Sequence, residues 1–279
     1  MTSKKWIIAA AAVIAICSAT SIFTLAKDNA IKQGYSAAEP VASHAVRQAN
    51  GEVSQLLRDD AGHDTMNNQD QAPQSEIETP EETIAESDDH IIHITGIQTN
   101  EGTYDHLKLE TPAFSRSLPG YNVTNPTYAP QIICEDVNGD GNKESVVILT
   151  TGYGTGVYRS DVVVYNSEGD RIPVEDANTA FLKQFDGSFN GQGLTLNVHG
   201  QSYQVPYALI LTDRTRLNGR PQIGSIMQYA VTGNVLTATT AVQISPAEFV
   251  GDLTVTYTFK NGRLQAGSAT FELYPEYSS

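Results

Sequence analysis

Only two cysteines, Cys17 and Cys134, occur in 279 residues, and only one tryptophan, Trp6. So few thiols exclude a disulfide framework and a Cys-rich zinc module. Basic residues are scarce as well: 17 Lys and Arg stand against 32 Asp and Glu, a net charge of −15. Such a chain is short of the cations that displace counterions from a phosphate backbone, so nucleic acid is not an expected partner. The nucleophile elbow Gly-x-Ser-x-Gly, the zinc-protease His-Glu-x-x-His and the Ser-x-x-Lys motif are missing too. Nothing in the chain names a reaction, and the expectation leans to a non-enzymatic protein.

Long apolar runs are confined to one place. Lys4 and Lys5 precede an apolar stretch from Trp6 to about Ala26. About 20 apolar residues at about 1.5 Å each span a hydrocarbon core of about 30 Å. Residues 1–26 therefore read as an N-terminal transmembrane helix, or as a signal peptide cleaved after Thr24-Leu25-Ala26. In either case the positive-inside rule keeps Lys4 and Lys5 cytoplasmic and exports the rest. The expected location is the cell membrane, single-pass, with an extracytoplasmic C-terminal domain, or alternatively the medium as a secreted protein. Cys17 invites a lipid anchor, but Ile16 is larger than the residue that usually precedes a lipidated cysteine. Cys134 reads as a small buried hydrophobe in a strand.

From 27 to 88 Ala, Gln, Asn, Ser, Asp and Glu dominate, and Glu76-Ile77-Glu78-Thr79-Pro80-Glu81-Glu82 is especially acidic. A stretch with so little apolar surface cannot offset its conformational entropy, so an acidic disordered linker is expected. From 89 to 279 the pattern turns strand-like. Ile91-Ile92-His93-Ile94 and Ile132-Ile133-Cys134 are short apolar runs. Ser145–Leu149 and Asp161–Tyr165 are β-branched runs of the buried kind, whereas Leu194–Val198 and Leu253–Phe259 alternate. Glu168-Gly169, His199-Gly200, Gly233-Asn234 and Asn261-Gly262 supply hairpin turns.

The expected fold is mainly β: an antiparallel sheet domain, sandwich-like or partial propeller-like, with one or two short helices. Asp176 caps one candidate helix, in which Ala177, Ala180, Phe181 and Phe185 share a face. Ser245-Pro246-Ala247-Glu248 reads as a capping box opening a single helical turn. Four prolines in Thr111–Pro130 argue for a long ordered loop or edge segment.

The sharpest signal is Asp136-Val137-Asn138-Gly139-Asp140-Gly141-Asn142-Lys143-Glu144. Every second residue carries oxygen, and calcium takes six to eight oxygen ligands at about 2.3–2.6 Å. Asp136, Asn138 and Asp140 would bind through side chains, Asn142 through its backbone carbonyl, and Glu144 directly or through a water. Gly141 permits the sharp turn. An EF-hand is excluded, because its twelfth position is Val147 here and strands rather than helices flank the loop.

The loop resembles the calcium loops of FG-GAP and VCBS-type repeats, Asp-x-Asx-x-Asp-Gly-x-x-Asp/Glu between two strands. The segment Leu149–Gly156 and the strand after it add to the likeness, which covers about Ile132 to Tyr165. It implies a bound Ca2+ at Asp136, Asn138, Asp140, Asn142 and Glu144. The chain carries one copy and lacks the Phe-Gly and Gly-Ala-Pro signatures, so a complete propeller is not implied.

Other candidates are weaker. Gly152-Tyr153-Gly154-Thr155-Gly156 lacks the spacing of a nucleotide loop and reads as a turn between strands. His90 and His93 would point to opposite faces of one strand, away from a shared metal. Asp213, Glu248, Asp252 and Glu272 could hold a glycosidase pair only if the fold brought two of them together. The expected function is a calcium-stabilised surface binding or sensing module for a wall polymer, peptide or protein, held to the membrane by its N-terminal segment. The alternative is an exported hydrolase of cell-wall material with a structural calcium. An exposed tyrosine face would favour the first, and two buried carboxylates converging in a cleft the second.

Overall fold

The computed structural model describes residues 80–278; 58 % of them lie in strands, against a single α-helix. The expected transmembrane helix over 1–26 and most of the expected linker lie outside the described residues. Among the described residues no helix is long and apolar enough to cross a membrane.

Strands β1 (Glu81–Glu86), β2 (His93–Gln98), β3 (Thr103–Glu110) and β4 (Ser115–Ser117) form one sheet in that order. The short β5 (Asn122–Val123) also pairs with β3. Next come β6 (Gln131–Glu135), β7 (Glu144–Gly154), β8 (Val157–Tyr165) and β9 (Arg171–Ile172), then helix α1 (Ala177–Gln184). A three-stranded antiparallel sheet follows, β10 (Phe185–Phe189), β11 (Gly193–Val198) and β12 (Gln201–Pro206). Strands β13 (Gln222–Thr232), β14 (Val235–Ser245), β15 (Glu248–Lys260) and β16 (Arg263–Leu273) complete the chain. The largest sheet runs β16-β15-β14-β13-β8-β7-β6, with β9 beside β8, and the sheets curl into a half-barrel.

Two cores explain the two kinds of strand pattern. Val146, Ile148 and Val164 face a large core that also holds Phe181, Leu196, Leu253 and Leu264. Their neighbours Val147, Leu149, Val163 and Tyr165 face a smaller core with Ile94, Leu107 and Leu109 from the first sheet. Strands β7 and β8 thus form a middle layer, apolar on both faces, and so read as unbroken β-branched runs. By contrast β15 covers a single core and alternates buried with half-buried positions.

The turns and the helix follow local chemistry. His199, Asn234 and Asn261 adopt left-handed backbone (φ 46°, 67° and 55°), each beside a glycine at a hairpin tip. Asp176 Oδ1 accepts the Thr179 amide at 2.9 Å and caps α1, which buries Ala177, Ala180 and Phe181. Phe185 ends the helix and begins β10. Thr111–Pro130 contains only β4, β5 and one turn of 3-10 helix, as its prolines suggest.

Four expectations need correction. Glu81–Glu86 is a strand although composition assigns it to the linker, because Ile84 and Ala85 pack on the smaller core. The large sheet is not wholly antiparallel: β8 and β13 run parallel through Tyr158↔Ile226 and Arg159↔Met227. Ser245–Glu248 opens no helix; it closes the β14–β15 hairpin, and the Glu248 side chain turns to another segment. His90 lies outside β2 with φ of 58°, so strand alternation does not apply to it. Its Nδ1 and that of His93 both approach Glu86, at 2.7 and 3.5 Å.

Candidate metal centre

Residues Asp136 to Lys143 connect β6 to β7, and side-chain oxygens fold this loop onto its own backbone. Asp136 Oδ1 accepts the amides of Gly139 (2.7 Å) and Asp140 (3.1 Å), and its Oδ2 accepts that of Gly141 (3.0 Å). Asn138 Oδ1 accepts the Asp140 amide and Asp140 Oδ1 the Asn142 amide, both at 2.7 Å. These turns are Asx motifs, in which a short side chain replaces a backbone acceptor. They need Gly139 and Gly141 at φ of 80° and 90°. The Asn142 amide bond holds the exposed Asp140 carboxyl below its ordinary value.

Glu144 closes the loop from beneath, as the first residue of β7, with 1 % of its surface exposed. Its Oε2 accepts the amides of Val137 (2.9 Å) and Asn138 (3.1 Å). The Val137 side chain meanwhile sits in the large core and anchors the loop. The Asn138 side-chain amide spans the remaining acidic oxygens, donating to Glu144 Oε1 at 2.8 Å and Asp140 Oδ2 at 3.1 Å. Burial raises the Glu144 carboxyl above its ordinary value, and the charges of Asp140 and Asp136 push it the same way. Glu135 stands opposite Glu144 in the β6–β7 ladder, a like-charge pair that is unfavourable by itself. Among the described residues no lysine or arginine is ion-paired with Asp136, Asp140 or Glu144.

The fold therefore gathers four predicted positions, Asp136, Asn138, Asp140 and Glu144, through side-chain hydrogen bonds; Asn142 joins through its amide. The donor set fits a hard divalent cation, with oxygens from three carboxylates and an amide. As the side chains stand, no group of three or more His, Cys, Asp and Glu among the described residues could hold a metal ion. In this arrangement Asp136 commits both oxygens to amides, and Asn138 Nδ2 donates to both Asp140 and Glu144. Val137 and the near-complete burial of Glu144 were not read from sequence. Val137 is the only apolar residue within the acidic run, and that was the available signal.

The candidate glycosidase carboxylates fall in two places. Asp213 and Glu248 line one cleft of about 370 Å³ with Arg216. Both oxygens of Glu248 are engaged, by the Leu211 and Thr212 amides at 2.8 Å each and the Tyr277 hydroxyl at 2.9 Å. Burial raises its carboxyl, but these bonds outweigh burial and hold it below the ordinary value, unlike a general acid. Asp252, half-buried, accepts the Tyr274 hydroxyl at 2.7 Å and stands opposite the exposed Glu272 in the β15–β16 ladder. Cys134 lies half-buried in β6 against the smaller core, and burial pushes its thiol up.

No protein family, curated protein or solved structure matches this chain.

Proposed function

We propose that the domain is a calcium-stabilised, non-enzymatic binding or sensing module with a loop of the FG-GAP/VCBS kind. In this reading the N-terminal segment holds it outside the cytoplasmic membrane, and its ligand is a surface polymer, peptide or protein. The domain is then sandwich-like, built on the two-faced β7–β8 layer, rather than partly propeller-like. The observation that carries the proposal is the Asn138 bridge. Partial positive charge from one side-chain amide stands between Asp140 and Glu144, with Asp136 nearby. Calcium would exchange that partial charge for a full divalent one.

Asp136, Asn138, Asp140 and Glu144 would hold the ion, with Asn142 contributing its carbonyl. Neutralising the loop removes carboxylate repulsion and fixes the register of β6 against β7. Extracellular modules bind calcium at about 10⁻⁴–10⁻³ M, so such a site fills outside a cell and empties inside one.

The test is thermal unfolding of the full chain in millimolar calcium and in chelator. At ten times the dissociation constant the gain is about 1.4 kcal/mol, enough to move the midpoint visibly. Asp140→Ala should abolish the calcium-dependent rise. An undiminished rise in that variant would overturn the proposal.

A further inference from the structure

Around the β7–β8 hairpin tip, far along β7 from the acidic loop, rings from separate segments converge. Tyr153 and Tyr158 are direct cross-strand partners. Tyr128, from the 3-10 turn after β5, packs on both, with ring centroids 4.5 Å from Tyr153 and 5.9 Å from Tyr158. Tyr121 reaches the same strand and donates its hydroxyl to the Thr151 carbonyl at 3.0 Å. Tyr153 and Tyr121 remain 45 % and 42 % exposed. Gly154 and Gly156 extend the open ground beside them, since a Cβ at either would meet nothing within 4 Å.

We infer that this tyrosine surface binds a neutral polysaccharide by stacking pyranose rings on the exposed Tyr153 and Tyr121. The inference rests on the binding-module reading above and names its ligand class. Three observations select the occupant. The surface is aromatic and hydroxyl-bearing, matching a sugar ring with an apolar C–H face and a polar rim. Arg159 is the one charged side chain of the hairpin tip, Gly152–Ser160, so no acidic or basic cluster calls for a charged ligand.

Peptide capture by strand addition is disfavoured by the third observation. The Thr150 amide is taken by Asn122 Oδ1 at 2.7 Å, and the Thr151 carbonyl by Tyr121. Two backbone groups an added strand would use are thus already occupied. The exposed parts of the Tyr153 and Tyr121 rings are what the surface still offers. Thr150 Oγ1 and the Tyr158 hydroxyl lie 3.3 Å apart behind the rings and hold Tyr158 in place.

Calorimetric titration of the full chain with chitohexaose, cellohexaose and a soluble proline-rich peptide tests this, with any detergent chosen free of sugar. Binding of at least one hexasaccharide is expected. Tyr153→Ala should weaken it at least tenfold, while Tyr153→Phe, which keeps the ring, stays within threefold of wild type. No binding of either sugar, equal affinity in Tyr153→Ala, or binding of the peptide alone would overturn the inference. An unchanged thermal midpoint in Tyr153→Ala establishes that the variant is folded. Absence of sugar binding by the wild-type chain, with its calcium-dependent midpoint shift intact, sinks this inference and leaves the calcium reading standing.

Discussion

Strand β7 is fastened at both ends by one buried polar side chain, and the two fastenings have opposite chemistry. At its start Glu144 belongs to the strand itself, is acidic, and collects amides from the preceding loop. Toward its far end Asn122 arrives from β5, is fully buried and neutral, and both donates and accepts. Its Oδ1 takes the Thr150 amide, and its Nδ2 serves the Val123 and Tyr128 carbonyls at 2.8 and 2.9 Å. A neutral amide among backbone groups is complete as it stands. A carboxylate beside two other carboxylates is hydrogen-bonded yet still short of positive charge, and it is at that end that the proposed ion would sit.

The comparison can be broken most forcefully from the middle. Leu149 lies between the two ends with no exposed surface, so Leu149→Ala should cost about 2–5 kcal/mol. Urea unfolding followed by tyrosine fluorescence and by far-ultraviolet dichroism should still give one coincident transition. Two separate transitions would mean that the ends of β7 do not share one cooperative unit. Next in size come Glu144→Ala and Asn122→Ala. Each orphans buried backbone groups, at about 1–3 kcal/mol. Calcium should stabilise Asn122→Ala as much as wild type and Glu144→Ala hardly at all; equal shifts in both would erase the distinction between the ends.

Acidity sharpens the contrast further. The folded-state pKa of Glu144 lies above its ordinary 4.5. Its ionised form is therefore penalised on folding, and the favourable contribution is complete below 4.5 and lost as pH rises through the folded value. In chelator, wild type should gain on Glu144→Gln as pH falls from neutrality toward 4.5. The deficit of Asn122→Ala, compared with wild type over the same range, should stay flat. A flat difference for Glu144→Gln would show that its burial is relieved on ionisation. The smallest effect is expected at the exposed tip, where Tyr153→Ala should shift stability by no more than about 0.5 kcal/mol in thermal unfolding.

What the sequence made legible was local. The acidic loop announces itself because its side chains bond within eight residues, so spacing alone carries the geometry. Hairpin glycines and asparagines, the Asp176 cap and the unbroken runs of β7 and β8 are legible for the same reason. Features assembled from distant segments were not. Asn122 and Thr150 are 28 positions apart, and no pattern in either neighbourhood marks the pair. The tyrosine surface draws on Tyr121, Tyr128, Tyr153 and Tyr158, and no local pattern joins the four. Glu248 misled because Ser-Pro-Ala-Glu satisfies a local rule, whereas Leu211, Thr212 and Tyr277 recruit its carboxylate over 37, 36 and 29 positions. His90 misled because a left-handed residue ends the strand pattern without a glycine to signal it.

The parallel contact between β8 and β13 has a mechanical consequence. Only two register pairs join them, against ten between β15 and β16. Ser160 reinforces the join, donating to the Met227 carbonyl at 3.3 Å and accepting the Tyr229 amide at 3.0 Å. Under tension along the chain, that join is where the main run of the large sheet has fewest ladder pairs to hold it, with Ser160 and the Ser225 hydroxyl bonded to the Gly156 carbonyl as its side-chain stitches.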